Sequence, residues 1–172
     1  MRKLLFVLMV ALLFGCNNDD AKSELEKLPA ATQLGLNKVG CLLDGKAFLP
    51  DGTPLSTNCF YQFVNGKYYF YMSVQNSIGP DLVSVVLKTE GKQIFQGETY
   101  QLVEEADGNA SGLYLWNLDI FETSTIETGE LYISKRDPIN NIVSGLFWFD
   151  VRDASGIVHQ VRDGRFDFTC AN

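Results

Sequence analysis

From residue 39 onward the chain consists of short apolar or alternating segments separated by turn residues, and no segment has a long apolar period of 3.6 residues. The clearest turn is Asn65-Gly66, which lies between two aromatic-rich segments. A two-residue Asn-Gly loop favours a tight hairpin because both positions need positive φ, which these residues tolerate best. The turn also fixes the register of the strands that it joins. It predicts three cross-strand pairs: Val64 with Lys67, Phe63 with Tyr68, and Tyr61 with Phe70.

Ten segments of this kind are predicted to be strands, with turn residues between them. Their ranges are 39–43, 46–49, 59–64, 67–74, 82–89, 99–104, 113–120, 130–135, 142–151 and 157–170. We expect the last to be interrupted near Asp163-Gly164, and Asp44-Gly45 to form a second short hairpin. The pattern therefore predicts an all-β protein with a single antiparallel β-sandwich or barrel-like domain of about 8–10 strands.

The first sixteen residues, MRKLLFVLMVALLFGC, have the layout of an export signal. Arg2 and Lys3 precede an apolar run from Leu4 to Phe14, which is shorter than the about 20 residues that a membrane-spanning helix needs. A short apolar run behind basic residues is typical of a helical signal peptide. The run ends in Leu-Phe-Gly-Cys, which resembles the bacterial lipobox. This resemblance implies that Cys16 carries a diacylglyceryl group.

These features divide the chain into a signal peptide (1–15), the lipidated Cys16 with a flexible linker (16–37), and a β-domain (38–172). Two or more acyl chains make membrane attachment effectively permanent. We therefore expect an outer-membrane lipoprotein whose contact with the membrane is the N-terminal lipid. Asp19 and Asp20 resemble the acidic residues of surface-export signals, and an ordinary solvated tether explains them equally well. The periplasmic and surface-exposed sides stay open alternatives.

The charge of the chain argues against nucleic-acid partners. Without the first fifteen residues, 12 basic and 21 acidic side chains remain, which gives a net charge of −9. An acidic protein without a basic patch repels phosphate backbones and anionic membrane surfaces. We expect no nucleic-acid binding, and the sequence does not indicate an oligomeric state.

With Cys16 lipidated, three cysteines remain: Cys41, Cys59 and Cys170. An oxidising envelope permits one disulfide and leaves one thiol, and the sequence does not choose among the three pairs. No C-x-x-C motif is present, so neither a zinc site nor a thioredoxin-type site is predicted. We predict no metal and no cofactor.

Motifs at both ends of the β-domain resemble a known family. The segment 28–33 reads LPAATQ and 39–48 reads VGCLLDGKAF, while TGELYISK, SGLFWF and DGRFD follow at 128–135, 144–149 and 163–167. This order is similar to the LPPATQ, FGCLVNGKAW, TGELTITK, SGTFSF and DGRFD motifs of an uncharacterised Bacteroidota lipoprotein family. Departures are Ala30 for a second Pro, Val39 for Phe and Leu146 for Thr. The resemblance implies a small lipid-anchored β-domain of unknown function and supplies no catalytic residues.

Candidate catalytic groups are few. His159 is the only histidine, and it alternates with Ile157 and Val161, so we expect a half-buried strand residue with one hydrogen bond. Asp150 and Asp167 are carboxylates that a glycan-acting hydrolase needs in a convergent pair. The loop that begins at Asp153 has oxygens for calcium, but its spacing fits no calcium loop. We predict that the protein is not an enzyme.

Aromatic residues crowd the Asn65-Gly66 hairpin and are the best candidates for ligand contact. Strand side chains alternate between faces, so Tyr61, Phe63, Tyr68 and Phe70 share one face, and Phe60, Tyr69 and Tyr71 share the other. The predicted ligand-facing residues are Tyr61, Tyr68, Tyr69 and Tyr71, which can stack on sugar rings or on a protein partner. The leading hypothesis is a non-enzymatic binding or interaction module of the cell envelope. The alternatives are a glycan-acting hydrolase and a carrier of a small lipophilic ligand.

Overall fold

The computed structural model describes residues 22–171, so the predicted signal peptide and Cys16 lie outside the described residues. A single-turn 3-10 helix (Leu25–Lys27) precedes eleven strands. The strands are β1 (Lys38–Leu43), β2 (Lys46–Phe48), β3 (Thr57–Val64), β4 (Lys67–Ile78), β5 (Asp81–Thr89), β6 (Thr99–Leu102), β7 (Ala110–Trp116), β8 (Asp119–Glu122), β9 (Gly129–Asp137), β10 (Ile142–Arg152) and β11 (Val158–Thr169). No helix among residues 22–171 is long and apolar enough to cross a membrane.

All eleven strands belong to one sheet, which confirms the predicted all-β class. Their order is β2-β1-β11-β10-β9-β6-β7-β5-β4-β3, and β8 pairs with β7. The ladders are antiparallel except for a parallel pairing of β6 and β7 at Leu102 and Ala110. One strand more than expected forms because the predicted segment 113–120 divides into β7 and β8. Asn117, at a φ of 56°, provides the turn between them.

The two predicted hairpins are confirmed. Asn65 and Gly66 have φ values of 50° and 82°, and the three predicted pairs of the β3–β4 ladder are present. Asp44 and Gly45 turn β1 into β2 in the same way, at 50° and 78°. The expected interruption of β11 is a β-bulge: its register against β10 shifts between Phe147 and Phe149, and Asp163 has a φ of 50°.

The sheet curls until β3, the last strand in the order, meets the end of β11. The Tyr61 backbone N–H donates to the carbonyl of Ala171, and the Ala171 N–H donates to the carbonyl of Cys59, both at 2.9 Å. A disulfide between Cys59 and Cys170 fastens this junction, with the Cα atoms 4.7 Å apart. The ladder does not close into a continuous barrel, but the curled sheet encloses one hydrophobic core.

Aromatic rings of the core pack directly over glycines on neighbouring strands. A Cβ at Gly164 would lie 2.5 Å from the ring of Phe147, its partner across the ladder. Gly145 lies in the same way beneath the ring of Phe166. The rings therefore occupy the space where larger side chains would lie, which explains the glycines of the SGLFWF and DGRFD motifs.

The segment before β1 is attached to the sheet. Leu28 is buried, and the Asp167 carboxylate holds the backbone of residues 34–36. Residues 28–36, which belong to the predicted linker (16–37), therefore contact the sheet. The physical reason is that a buried carboxylate on β11 supplies acceptors for the backbone N–H groups of this polar segment.

Candidate functional site

The outer face of β6, β9, β10 and β11 carries a groove of about 500 Å³. Two rows of side chains cross these strands, because ladder partners point to the same face. The first row consists of Thr99, Tyr132, Leu146 and Arg165, and the second of Gln101, Glu130, Trp148 and the bulge at Arg162-Asp163. Tyr132 and Leu146 are 38% and 43% exposed. Ala31, from the segment before β1, also lines the groove.

Polar neighbours hold Trp148 in place. Its indole Nε1 donates to Oε2 of Glu130 at 3.3 Å, and the other oxygen of Glu130 accepts from Nε2 of Gln101 at 3.1 Å. The guanidinium of Arg162 lies 5.3 Å from the centre of the Trp148 ring. Arg162 is itself fixed by an ion pair with Asp150, at 2.6 Å. A ring held from several sides is preorganised for a ligand, since binding then costs less side-chain entropy.

The bulge in β11 shapes one side of the groove. Two residues of β11 oppose Trp148 here, which makes room for Asp163 at a positive φ. Asp163 and Arg165 both line the groove, and Nε of Arg165 donates to the carbonyl of Asp163 at 3.2 Å. The groove thus combines aromatic surface with charged groups of both signs.

The predicted ligand-facing tyrosines lie elsewhere. Their division between two faces is as expected. Tyr61 is buried, and with Tyr68 and Arg136 it lines a separate pocket of about 470 Å³, so its assignment to ligand contact stays a prediction. Its hydroxyl accepts from the Ile94 N–H at 3.2 Å, and the Arg136 guanidinium lies 4.4 Å from its ring centre. Tyr68 stacks on Tyr61 and packs against the core.

Tyr69 and Tyr71 are on the outer face of β4 and are half-buried. Tyr71 stacks on Phe60, with the ring centres 4.9 Å apart. Neither tyrosine lines the groove that contains Trp148. This pair therefore forms a half-buried aromatic surface on the outer face of β4.

Trp148 and Tyr132 were missed by the sequence analysis, although the sequence contains a signal for them. Leu131 and Ile133 flank Tyr132, and Phe147 and Phe149 flank Trp148. Because strand residues alternate, burying these aliphatic and Phe neighbours turns Tyr132 and Trp148 outward. An outward aromatic residue on each of two adjacent strands indicates a ligand surface more specifically than a crowd of aromatics in one hairpin.

The carboxylates considered for hydrolysis do not converge. Asp167 lies opposite Ser144 on β10, and Asp150 comes six residues later on that strand, which corresponds to about 20 Å. Burial alone would raise the pKa of Asp167, but hydrogen bonds from Thr32, Ser144 and the backbone outweigh it and lower the pKa to about 2. Asp150 is paired with Arg162. Both carboxylates thus have structural partners.

Asp153 organises the loop between β10 and β11. Its Oδ1 accepts from the backbone N–H groups of Ser155 and Ile157, both at 2.8 Å. These bonds, that of Ile157 foremost, lower its pKa. Hydrogen bonds of this kind are typical of an Asp residue in a turn. No group of three or more His, Cys, Asp or Glu side chains within residues 22–171 is placed to hold a metal ion.

His159 is half-buried on β11, as expected. Its Nδ1 lies 2.8 Å from the carboxylate of Asp44, and its Nε2 lies 3.6 Å from that of Asp153. Its ring centre is 4.6 Å from that of Tyr114. The histidine therefore has two acidic neighbours and one aromatic neighbour.

The structure selects one of the three cysteine pairs left open by the sequence. Cys59 and Cys170 form the disulfide, and Cys41 is a free, buried thiol. Burial raises the pKa of Cys41 to about 12. A thiol of this kind is a small apolar core residue and not a nucleophile.

No protein-family model matches the chain, and no curated protein or solved structure is significantly similar to it. The resemblance to a Bacteroidota lipoprotein family therefore stays a prediction.

Proposed function

We propose that the chain is a lipid-anchored, non-enzymatic binding module of the bacterial cell envelope, and that its outer groove holds a sugar ring of a glycan. The anchor part of the proposal rests on the basic, apolar and Leu-Phe-Gly-Cys segments that lead to Cys16. The glycan part rests on the groove of β6, β9, β10 and β11.

The observation that carries the proposal is the juxtaposition of Trp148 and Tyr132 with Glu130, Asp163 and Arg165 in one groove. A sugar ring has apolar C–H faces, which pack on aromatic rings, and hydroxyl groups at its edge, which need donors and acceptors. Carboxylates accept from these hydroxyls, and a guanidinium donates to them. A lipophilic ligand would bind poorly beside Glu130, Asp163 and Arg165, because it would displace water from these charged groups without replacing the lost hydrogen bonds.

The two alternative functions find less support in the geometry. A hydrolase needs two convergent carboxylates, whereas Asp150 and Asp167 are about 20 Å apart along β10. A lipophilic carrier needs an open interior, whereas large side chains fill the core of this sheet, among them Phe70, Met72, Tyr114 and Phe149. The proposal therefore concerns the outer surface of the sheet.

The ligand is tested by screening the purified chain on an array of bacterial and dietary glycans, followed by calorimetry with the glycans that bind. A polyoxyethylene detergent suits the lipidated chain, because its head group contains no sugar. We expect Trp148→Ala to weaken binding at least tenfold and Tyr132→Ala severalfold, since each removes a stacking surface from the groove.

Tyr69→Ala is the matched control, because it removes a half-buried outer-face aromatic that does not line the groove. Circular dichroism checks that each variant is folded. Binding that falls equally in the Trp148 and Tyr69 variants, or an array without any bound glycan, contradicts the proposed ligand. Capture of a protein on the same groove would instead favour a protein partner.

The anchor is tested separately. Metabolic labelling with a radioactive fatty acid is expected to label the chain and to fail with Cys16→Ser. Proteinase K added to intact cells then distinguishes the two sides of the membrane, with a known periplasmic protein as control. Digestion of the domain while the control survives places it on the surface, where external glycans are the ligands to screen.

A further inference from the structure

A second cavity, of about 280 Å³, opens where the β7–β8 hairpin and the β10–β11 loop meet. We propose that this pocket binds a small organic ammonium ion, either a protonated amine or a quaternary ammonium group. The site is separate from the glycan groove and does not depend on it. Its aromatic wall, its charge and the position of His159 carry the proposal.

The aromatic wall consists of Tyr114, Trp116 and Phe121. Tyr114 is at its centre, with its ring centre 6.3 Å from that of Trp116 and 6.1 Å from that of Phe121. Tyr114 is buried, while the other two rings are half-buried and pack against the core. Ring faces of this kind attract a cation through their quadrupole, and more strongly where water is excluded.

The charge of the pocket has one sign. Asp119 and Asp153 line it, and no Lys or Arg side chain is among its lining residues. The negative field extends to the aromatic wall: burial first, then the charges of Asp44, Asp153 and Asp81, raise the pKa of Tyr114 to about 12. A cation entering this pocket therefore meets both aromatic faces and carboxylates that no lining lysine or arginine neutralises.

His159 lies between the aromatic wall and the carboxylates of Asp44 and Asp153. Its ring lies against Tyr114, with Asp44 on one ring nitrogen and Asp153 near the other. This arrangement fixes the position of both carboxylates beside the aromatic rings. The carboxylates are thus oriented without being neutralised by a lysine or arginine. Because no metal-holding group is present within residues 22–171, the aromatic wall favours an organic cation over a metal ion.

The test uses choline and tetramethylammonium as probes, with 3,3-dimethylbutanol as the neutral isostere of choline. Trp116 and Trp148 are the two tryptophans of the chain, so in Trp148→Phe the fluorescence reports on this pocket alone. We expect both cations to change the Trp116 emission saturably, and choline to bind at least tenfold more tightly than the isostere. Calorimetry on the unsubstituted chain in a polyoxyethylene detergent repeats the measurement without any variant.

Two charge variants on one strand separate a specific site from general attraction. Asp119→Asn removes a carboxylate that lines the pocket, and Glu122→Gln removes one from the same strand that does not line it. We expect the first to weaken choline binding severalfold and the second to leave it unchanged. Equal binding of choline and its isostere, an equal effect of both variants, or the absence of a saturable signal in both assays overturns the proposal.

Discussion

The hydroxyl of Thr32 donates a hydrogen bond of 2.6 Å to the carboxylate of Asp167, across 135 positions of the sequence. The same carboxylate accepts from the Ser144 hydroxyl and from the backbone N–H groups of residues 34–36. One side chain on β11 therefore attaches residues 32–36 of the segment before β1.

Asp167→Asn is expected to destabilise the fold by about 3 kcal/mol at pH 7. The amide replaces one acceptor oxygen by an N–H donor, which then faces groups that are themselves donors. Urea unfolding measures the loss. The backbone N–H groups of Leu34, Gly35 and Leu36 are expected to exchange their hydrogens faster in this variant. The control is Asp163→Asn, because Asp163 is exposed and has a left-handed backbone conformation that Asn tolerates.

The stabilisation by Asp167 depends on pH. Its pKa is lowered from 3.8 to about 2 in the folded chain, so its contribution is complete above pH 4 and is lost as the pH falls toward 2. The shift corresponds to about 2 kcal/mol. The stability difference between the original chain and Asp167→Asn should therefore narrow between pH 4 and pH 2. A difference that stays constant over this range contradicts the assigned role.

Removing the disulfide is expected to destabilise the chain by about 4 kcal/mol, because the bond closes a long loop in the unfolded state. Cys59 and Cys170 are 111 positions apart. The double variant Cys59→Ala with Cys170→Ala is compared with the original chain by urea unfolding. Cys41→Ala, which leaves the bond intact and creates a small cavity, should cost only about 1 kcal/mol. Equal losses in both variants would show that the disulfide contributes only as a core contact.

Cys41 is expected to resist thiol reagents in the folded chain. It is fully buried, and burial raises its pKa to about 12, so at pH 8 almost no thiolate is available. In the Cys16→Ser variant, Ellman's reagent should detect no thiol in the native protein and one after unfolding in urea without reductant. Fast labelling of the native protein would place the free thiol elsewhere and contradict the Cys59–Cys170 pairing.

Gly164→Ala is expected to cost about 2 kcal/mol, because the new methyl group enters the space of the Phe147 ring. A double-mutant cycle identifies the cause. Phe147→Leu should remove part of the penalty, so the two changes together cost less than their sum. The ring of Phe149 packs over other glycines, so the loss of stability in Phe149→Leu should simply add to that of Gly164→Ala.

Local signals predicted much of the fold. The Asn65-Gly66 turn determines the β3–β4 register within a few residues, and the alternation of apolar side chains locates the strands. The boundary between β7 and β8 was missed because Asn117-Leu118 is a weak turn signal inside an apolar run. The burial of Tyr61 could not be predicted, because a single hairpin does not show which of its two aromatic faces the rest of the sheet covers.

The contacts that sequence reasoning could not predict join distant parts of the chain. The Cys59–Cys170 pair, the attachment of Thr32 to Asp167, and the approach of Asp44 to His159 each span more than 100 positions. None of these contacts produces a periodic pattern in the sequence, because each depends on the order of the strands in the sheet. The groove has the same origin: Trp148 and Tyr132 become a site only when β6 and β11 flank β9 and β10.

The position of β11 determines when the domain can fold during synthesis. This strand lies between β1 and β10. The first strand to leave the ribosome, β1, pairs early only with the three-residue β2, and its second partner is translated more than a hundred residues later. Long-range pairing of this kind folds slowly. A sheet that stays incomplete until its final strand is translated suits a chain that passes through a secretion channel before it folds, the route that the N-terminal sequence predicts.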